Sequence, residues 1–129
     1  MISPPGAGPY ADLLGATVVR ATDAEYEVAM DADARHTNQF GVLHGGLQMS
    51  LLDMAMGSLV ARSLAPGETT ASVSIATEFL AGGRAGRVVA KARLVKRGKT
   101  VAFPEAELVD AAGRVLSRAS GVWVIRRDG

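Results

Sequence analysis

The residues best suited to chemistry stand close together: Asn38, His44, Gly45 and Gly46, then Asp53 inside an apolar run that extends from Leu47 to Leu64. Ala, Leu and Met dominate that run and favour a helix, and Ala65-Pro66-Gly67 ends it. An acid in the middle of such a helix needs a reason, because burying a charge is costly. No Ser, Thr or Asp stands at the expected cap; Gly45 and Gly46 occupy that place. Glycine there predicts bare first-turn N–H groups and room for a ligand to approach the backbone. The helix dipole adds partial positive charge, which suits an oxygen gaining negative charge. Bare donors that polarise a carbonyl, and a carboxylate that attacks it or activates water, are the two halves of a hydrolytic centre.

Geometry constrains how the halves meet. Eight residues separate Gly45 from Asp53, roughly 12 Å along a helix axis. Reacting atoms must approach to about 3–3.5 Å. One helix therefore cannot bring its own amino end and its own Asp53 to one substrate. Two copies packed about a twofold axis can, with two equal sites per dimer. The spacing predicts a homodimer.

The elements that must position these residues follow from pattern. Within the helix, Gln48, Ser50, Asp53, Ser58, Arg62 and Ser63 do not gather into one broad wet face, so most of the helix is expected to be buried. Its length nearly suffices to cross a bilayer, but Asp53 in the middle, with Gln48 and Arg62, argues for a soluble core helix. Met1 to Pro9 is Pro/Gly-rich and expected to be loose, leaving residues 10–129 as one domain. Tyr10 to Leu14 reads as a helical turn. Ala16 to Arg20 and Glu25 to Met30 read as strands about a turn at Thr22-Asp23-Ala24, with Tyr26, Val28 and Met30 on one face. After the helix, Val73, Ile75, Thr77 and Phe79 alternate with Ser72, Ser74, Ala76 and Glu78. Val88 to Arg97, Thr100 to Asp110 and Val115 to Arg126 follow, turning at Gly98 and Gly113, which implies antiparallel hairpins. Pro104 predicts a bulge or an edge. The sum is an α+β fold, a curved antiparallel sheet wrapped on one long helix whose other side awaits a partner.

Composition excludes several classes. Zero cysteines rule out a disulfide scaffold, a thiol nucleophile and cysteine-ligated zinc. Two histidines are too few for an ordinary histidine metal site, so no metal is expected. The first residues lack the basic and apolar regions of a signal peptide, and a cytoplasmic protein is the simplest reading. A net charge of +1 gives no general case for nucleic acid or membrane.

The pattern Asn38-x5-His44-Gly45-Gly46-x6-Asp53 resembles the signature of hotdog-fold acyl-CoA thioesterases of the phenylacetate-degradation (PaaI-like) type. The similarity runs from about Leu13 to Arg126, with Ser72 to Leu80, Arg97 to Thr100 and Asp110 to Arg114 matching later strands and turns. It implies hydrolysis of an acyl-CoA, aromatic or medium-chain, by a homodimer or dimer of dimers, with coenzyme A as part of the substrate and no separate cofactor. It places His44 near the thioester and a hydroxyl, at Ser72, near the attacking water. Ser74 is an alternative two residues along. Gly46 is expected to be the main backbone donor, with Gly45 supporting.

Each residue has a plainer role beside the chemical one. Asp53 could pair with an Arg across an interface, His44 could bond nearby backbone, and Asn38 could form a loop turn rather than orient water or the carbonyl. Arg84 to Lys99 holds seven of the fourteen basic residues and no acid. Such a run is commonly a solvated strand face; it could also hold the phosphates of coenzyme A, with Arg97 and Lys99 flanking Gly98 as the favoured contacts. No aromatic platform for RNA accompanies it. Two rivals to hydrolysis are a hydroxyacyl-thioester dehydratase, whose local pattern differs, and a non-catalytic acyl-CoA-binding module.

Overall fold

A computed structural model describes residues 7–127. In chain order it contains α1 (Pro9–Leu14), β1 (Thr17–Ala21), β2 (Glu25–Ala32), a single 3-10 turn (Ala34–His36), α2 (Gly45–Arg62), β3 (Glu68–Phe79), β4 (Gly86–Arg97), β5 (Val101–Asp110) and β6 (Val115–Arg127). The strands form one antiparallel sheet in the order β1-β2-β4-β5-β6-β3, and α2 lies on one face of it. This is the hotdog arrangement. Of the segment expected to be loose, residues 1–6 lie outside the described residues, and Pro9 opens α1 instead, where its fixed φ suits a first helical turn.

Small residues let α2 sit close to the sheet. Ala92, Ala106 and Ala119 are cross-strand neighbours on the helix side, in a row completed by Tyr26 and Thr77. Against this floor α2 buries Leu47, Gln48, Leu51, Leu52, Ala55, Met56, Leu59 and Val60. A Cβ at Gly57 would stand 3.6 Å from the indole of Trp123, so the missing side chain makes room for that ring. The expectation of a mostly buried helix is corrected here. The sheet covers one side, while Gly46, Met49, Asp53 and Ala61 line an exposed stripe on the other.

The outer face explains part of the basic run. One row of cross-strand neighbours crosses all six strands as Arg20, Glu27, Lys91, Glu107, Arg118 and Glu78, alternating in sign throughout. A second row holds Glu25, Arg93 and Glu105. Opposite charges directly across strands stabilise pairing modestly. Lys91 and Arg93 are therefore members of a solvated charge ladder.

Two irregularities matter. The pairing of β4 with β5 slips between Leu94 and Lys96, opposite Pro104, which is the bulge the proline predicts. The pairing of β3 with β6 slips between Ser72 and Ser74 and leaves Val73 as the extra residue. Ser72 thus faces Trp123 and Ser74 faces Val122, on opposite sides of the sheet. The reading that both serines share one face is corrected: the bulge breaks the period of two, and only Ser72 looks toward α2. Finally, β3 is a sheet edge twelve residues long, largely exposed. Unpaired edges of this length invite another strand.

Candidate active site

The loop before α2 is built by Asn38. Its Oδ1 accepts from the N–H groups of Phe40 (2.9 Å) and Val42 (3.2 Å), and its own N–H donates to Val42 O at 2.8 Å. Gly41, at φ +76°, closes the turn by donating to Asn38 O. The carbonyl end of the Asn38 amide is thus committed to the loop. The loop is then tied to its surroundings, since Leu43 N–H donates to Gly83 O and His44 N–H to His36 O, both at 2.9 Å.

His44 is the cap of α2. It is extended (φ −60°, ψ 135°), and its Nδ1 accepts from Gly46 N–H at 2.8 Å. The expectation that glycines leave the first turn bare is therefore corrected in part. Histidine has an acceptor nitrogen that can reach the second N–H of the helix, so Gly46 is capped and not free. The N–H of Gly45 has no acceptor among the described residues. Gly45, not Gly46, offers the open donor at the positive end of the helix.

Asp53 lies two turns along, seven residues after Gly46, so both fall on the exposed stripe. The sequence suggested a buried carboxylate; in the single chain it is exposed, because the sheet packs on the opposite face. Partial loss of hydration against the helix still raises its pKa above the ordinary 3.8. Ser72 faces the helix side near Trp123, consistent with approach to α2 from the sheet edge.

The predicted phosphate contacts separate. The guanidinium of Arg97 donates to Glu68 Oε1 (2.7 Å), Ser63 Oγ (3.1 Å), Ser63 O (3.2 Å) and Gly98 O (2.7 Å). Its charge and donors are spent within its own chain, at the carboxyl end of α2. A Cβ at Gly98 would stand 2.7 Å from Val101 O, so Gly98 is required by the turn itself. Lys99 is exposed with no ion-pair partner among the described residues, and so is Arg84.

Comparison with known proteins decides the family. The family model described as Thioesterase superfamily matches residues 40–117. The chain belongs to the thioesterase superfamily. This thioesterase is 32% identical to human acyl-coenzyme A thioesterase 13 over 106 residues, covering 79% of this chain and 74% of that one. The Pseudomonas aeruginosa protein PA0474, which carries an esterase name, is 33% identical over 91% of this chain and 88% of its own. The crystal structure of AziG from S. sahachiroi superposes with a TM-score of 0.89 at 29% identity, covering 95% of this chain and 99% of that one. The protein is a hotdog-fold thioester hydrolase. Among the described residues no helix is long and apolar enough to cross a membrane.

Phe79 was absent from the sequence-based site. It ends β3, and two of its ring atoms lie 3.3 Å from where a Gly45 Cβ would stand. A lone aromatic at a strand end carries no pattern that a linear reading could connect to a glycine 34 positions earlier.

Proposed function

We propose that this thioesterase hydrolyses acyl-CoA to the free acid and coenzyme A as a homodimer, each site combining Gly45 of one copy with Asp53 of the other. The observation that carries this reading is that the amino end of α2 and Asp53 both open onto the one face of the helix its own sheet leaves uncovered. A second copy packed there, with its exposed β3 edge alongside, would bring each amino end toward the middle of the opposite helix. Gly46 keeps the amino end of that stripe shallow enough for close approach.

In the reaction, Gly45 N–H receives the thioester oxygen as it becomes an oxyanion. The Asp53 carboxylate takes a proton from water, and the resulting hydroxide adds to the carbonyl carbon. The C–S bond then breaks, and the proton passes to the departing thiolate. A nucleophilic variant, in which Asp53 attacks and water opens the resulting anhydride, uses the same atoms. Loss of hydration on dimer formation would raise the Asp53 pKa further and make it a stronger base, provided it stays ionised at neutral pH.

His44 holds Gly46 and thereby orients the first turn; Asn38 shapes the entrance, with its amide N–H₂ left to meet a ligand oxygen. Ser72 would position the water. Lys99, with Arg84 as a second cation, would meet the phosphates of coenzyme A. No metal is required for any step. The acyl group is aromatic or medium-chain, and dimers pair into tetramers.

The test is thiol release over a panel of acyl-CoAs, beside the Asp53→Asn variant. Turnover unchanged in that variant would remove Asp53 from the mechanism. Hydration of a crotonyl thioester without hydrolysis would favour a dehydratase, and tight binding without thiol release a binding module.

A further inference from the structure

We propose that Phe79 selects the acyl group, admitting chains that are unbranched or planar at the carbon next to the thioester carbonyl and rejecting those branched there. The proposal rests on the reading that Gly45 N–H receives the thioester oxygen. Ring atoms Cε1 and Cζ each lie 3.3 Å from the position of a Gly45 Cβ, with Cε2 at 3.9 Å. The outer rim of the ring therefore rests on the backbone that carries the open donor. Any side chain at position 45 would meet this ring, which gives a reason for glycine beyond helix capping.

The ring is not locked in the core. Phe79 is the last residue of the edge strand, on its helix-facing side opposite Ser117, and is 52% exposed. Leu80, the next residue in the chain, is also exposed, as is Phe40 in the Asn38 loop. An oxygen bound to Gly45 N–H sits about 2.9 Å from the nitrogen. That leaves the carbonyl carbon and its first substituent within van der Waals reach of the ring rim. A flat or straight substituent can lie along the rim, whereas a methyl branch must occupy the space the ring fills.

One extra methyl against such a wall discriminates by about 10- to 200-fold in kcat/KM. The experiment compares n-octanoyl-CoA with 2-methyloctanoyl-CoA on the wild type, Phe79→Leu and Phe79→Ala, by thiol release. The Kd of both thioesters is also measured on Asp53→Asn with and without Phe79→Ala. Because the ring is half exposed at an edge, the variants are expected to fold, and circular dichroism with the melting temperature checks this. The proposal expects the branched-to-straight ratio to rise about tenfold or more in Phe79→Ala and less in Phe79→Leu. A ratio within about twofold of the wild type in folded Phe79→Ala, in both readouts, overturns it. Should neither thioester release thiol from the wild type, the hydrolase reading falls while the Kd ratio still decides Phe79. Should neither thioester bind, both fall.

Discussion

The two ends of α2 are built to opposite rules. At the carboxyl end side chains tie off several of the last groups. Ser63 caps the helix with its Oγ on Val60 O at 2.6 Å. Glu68 accepts from Ala65 N–H and from Arg97, both at 2.7 Å, and Arg97 also holds the Ser63 carbonyl. At the amino end the cap satisfies Gly46 and stops there. Gly45 keeps a free donor, the helix dipole is unopposed by any acid in the first turn, and the half-exposed ring of Phe79 stands beside it. Unsatisfied polarity is expensive to keep, and the contrast shows where this chain keeps it: where a ligand oxygen can complete the set. Cations follow the same division. Arg97 is tied up at the closed end, whereas Lys99 and Arg84 have no ion-pair partner among the described residues.

Breaking the open end should have the largest effect. Asp53→Asn is expected to lower kcat by about 10²- to 10⁴-fold in a thiol-release assay. Its stability should move the other way. The folded-state pKa of Asp53 is raised, so folding favours the protonated acid, and that stabilisation is lost as pH rises through the folded pKa. At pH 7 the Asn variant should therefore melt no lower than wild type, and any gap should close on acidification. The acid limb of the wild-type rate profile should likewise lie above the ordinary aspartate value of 3.8.

His44→Ala removes the cap that orients the first turn. A loss of roughly 10- to 100-fold in kcat is expected from misplacement of the donor, with a stability cost of about 1 kcal/mol measured by denaturant melts. A variant with full activity would make His44 a dispensable cap.

At the closed end the readout should be stability rather than rate. Arg97→Ala is expected to lower Tm while leaving KM near the wild-type value. Glu68 has a lowered pKa, chiefly through Ala65 N–H and then through Arg97. The stability it adds is present above its unfolded value of 4.5 and fades as pH falls, so the Tm deficit of Arg97→Ala should shrink in acid. A raised KM at unchanged Tm would return Arg97 to the substrate site. The smallest effect is expected from Lys99→Ala: KM higher by a few fold, about 1 kcal/mol or less, with an unchanged Tm and greater sensitivity to salt.

How much of this was legible beforehand depends on whether sequence distance matters. The long helix, its end ahead of Ala65-Pro66-Gly67, the strands after it and the irregularity at Pro104 all rest on local periodicity and backbone chemistry, and local patterns survive folding. That the glycines and Asp53 lie about two turns apart on one helix was legible because a fixed helical rise converts spacing into distance. The capping of Gly46 was legible only in outline, as the plainer role in which His44 bonds nearby backbone; which N–H it would hold was not, since histidine is an uncommon cap. Arg97 was misread for a related reason. Its partners, Ser63 and Glu68, lie 34 and 29 positions away, so a run of cations in the sequence could not reveal which was already paired. The same holds for the outer charge ladder and for Ser72 and Ser74, whose separation depends on one extra residue in β3.

The central claim is that each reaction site takes its donor and its carboxylate from different copies of the chain, and mixed dimers test it directly. Gly45→Pro, made together with Phe79→Ala on the same chain so that the ring any side chain at 45 would meet is gone, removes the donor N–H at a first helical position where proline is tolerated, and His44, at ψ 135°, already has the conformation a following proline requires. That double variant and Asp53→Asn should each be nearly inactive alone. Mixed and allowed to exchange subunits, they should recover about a quarter of wild-type activity, because half of the dimers are hybrids and each hybrid holds one intact site. Hybrids that form but recover nothing would contradict the claim.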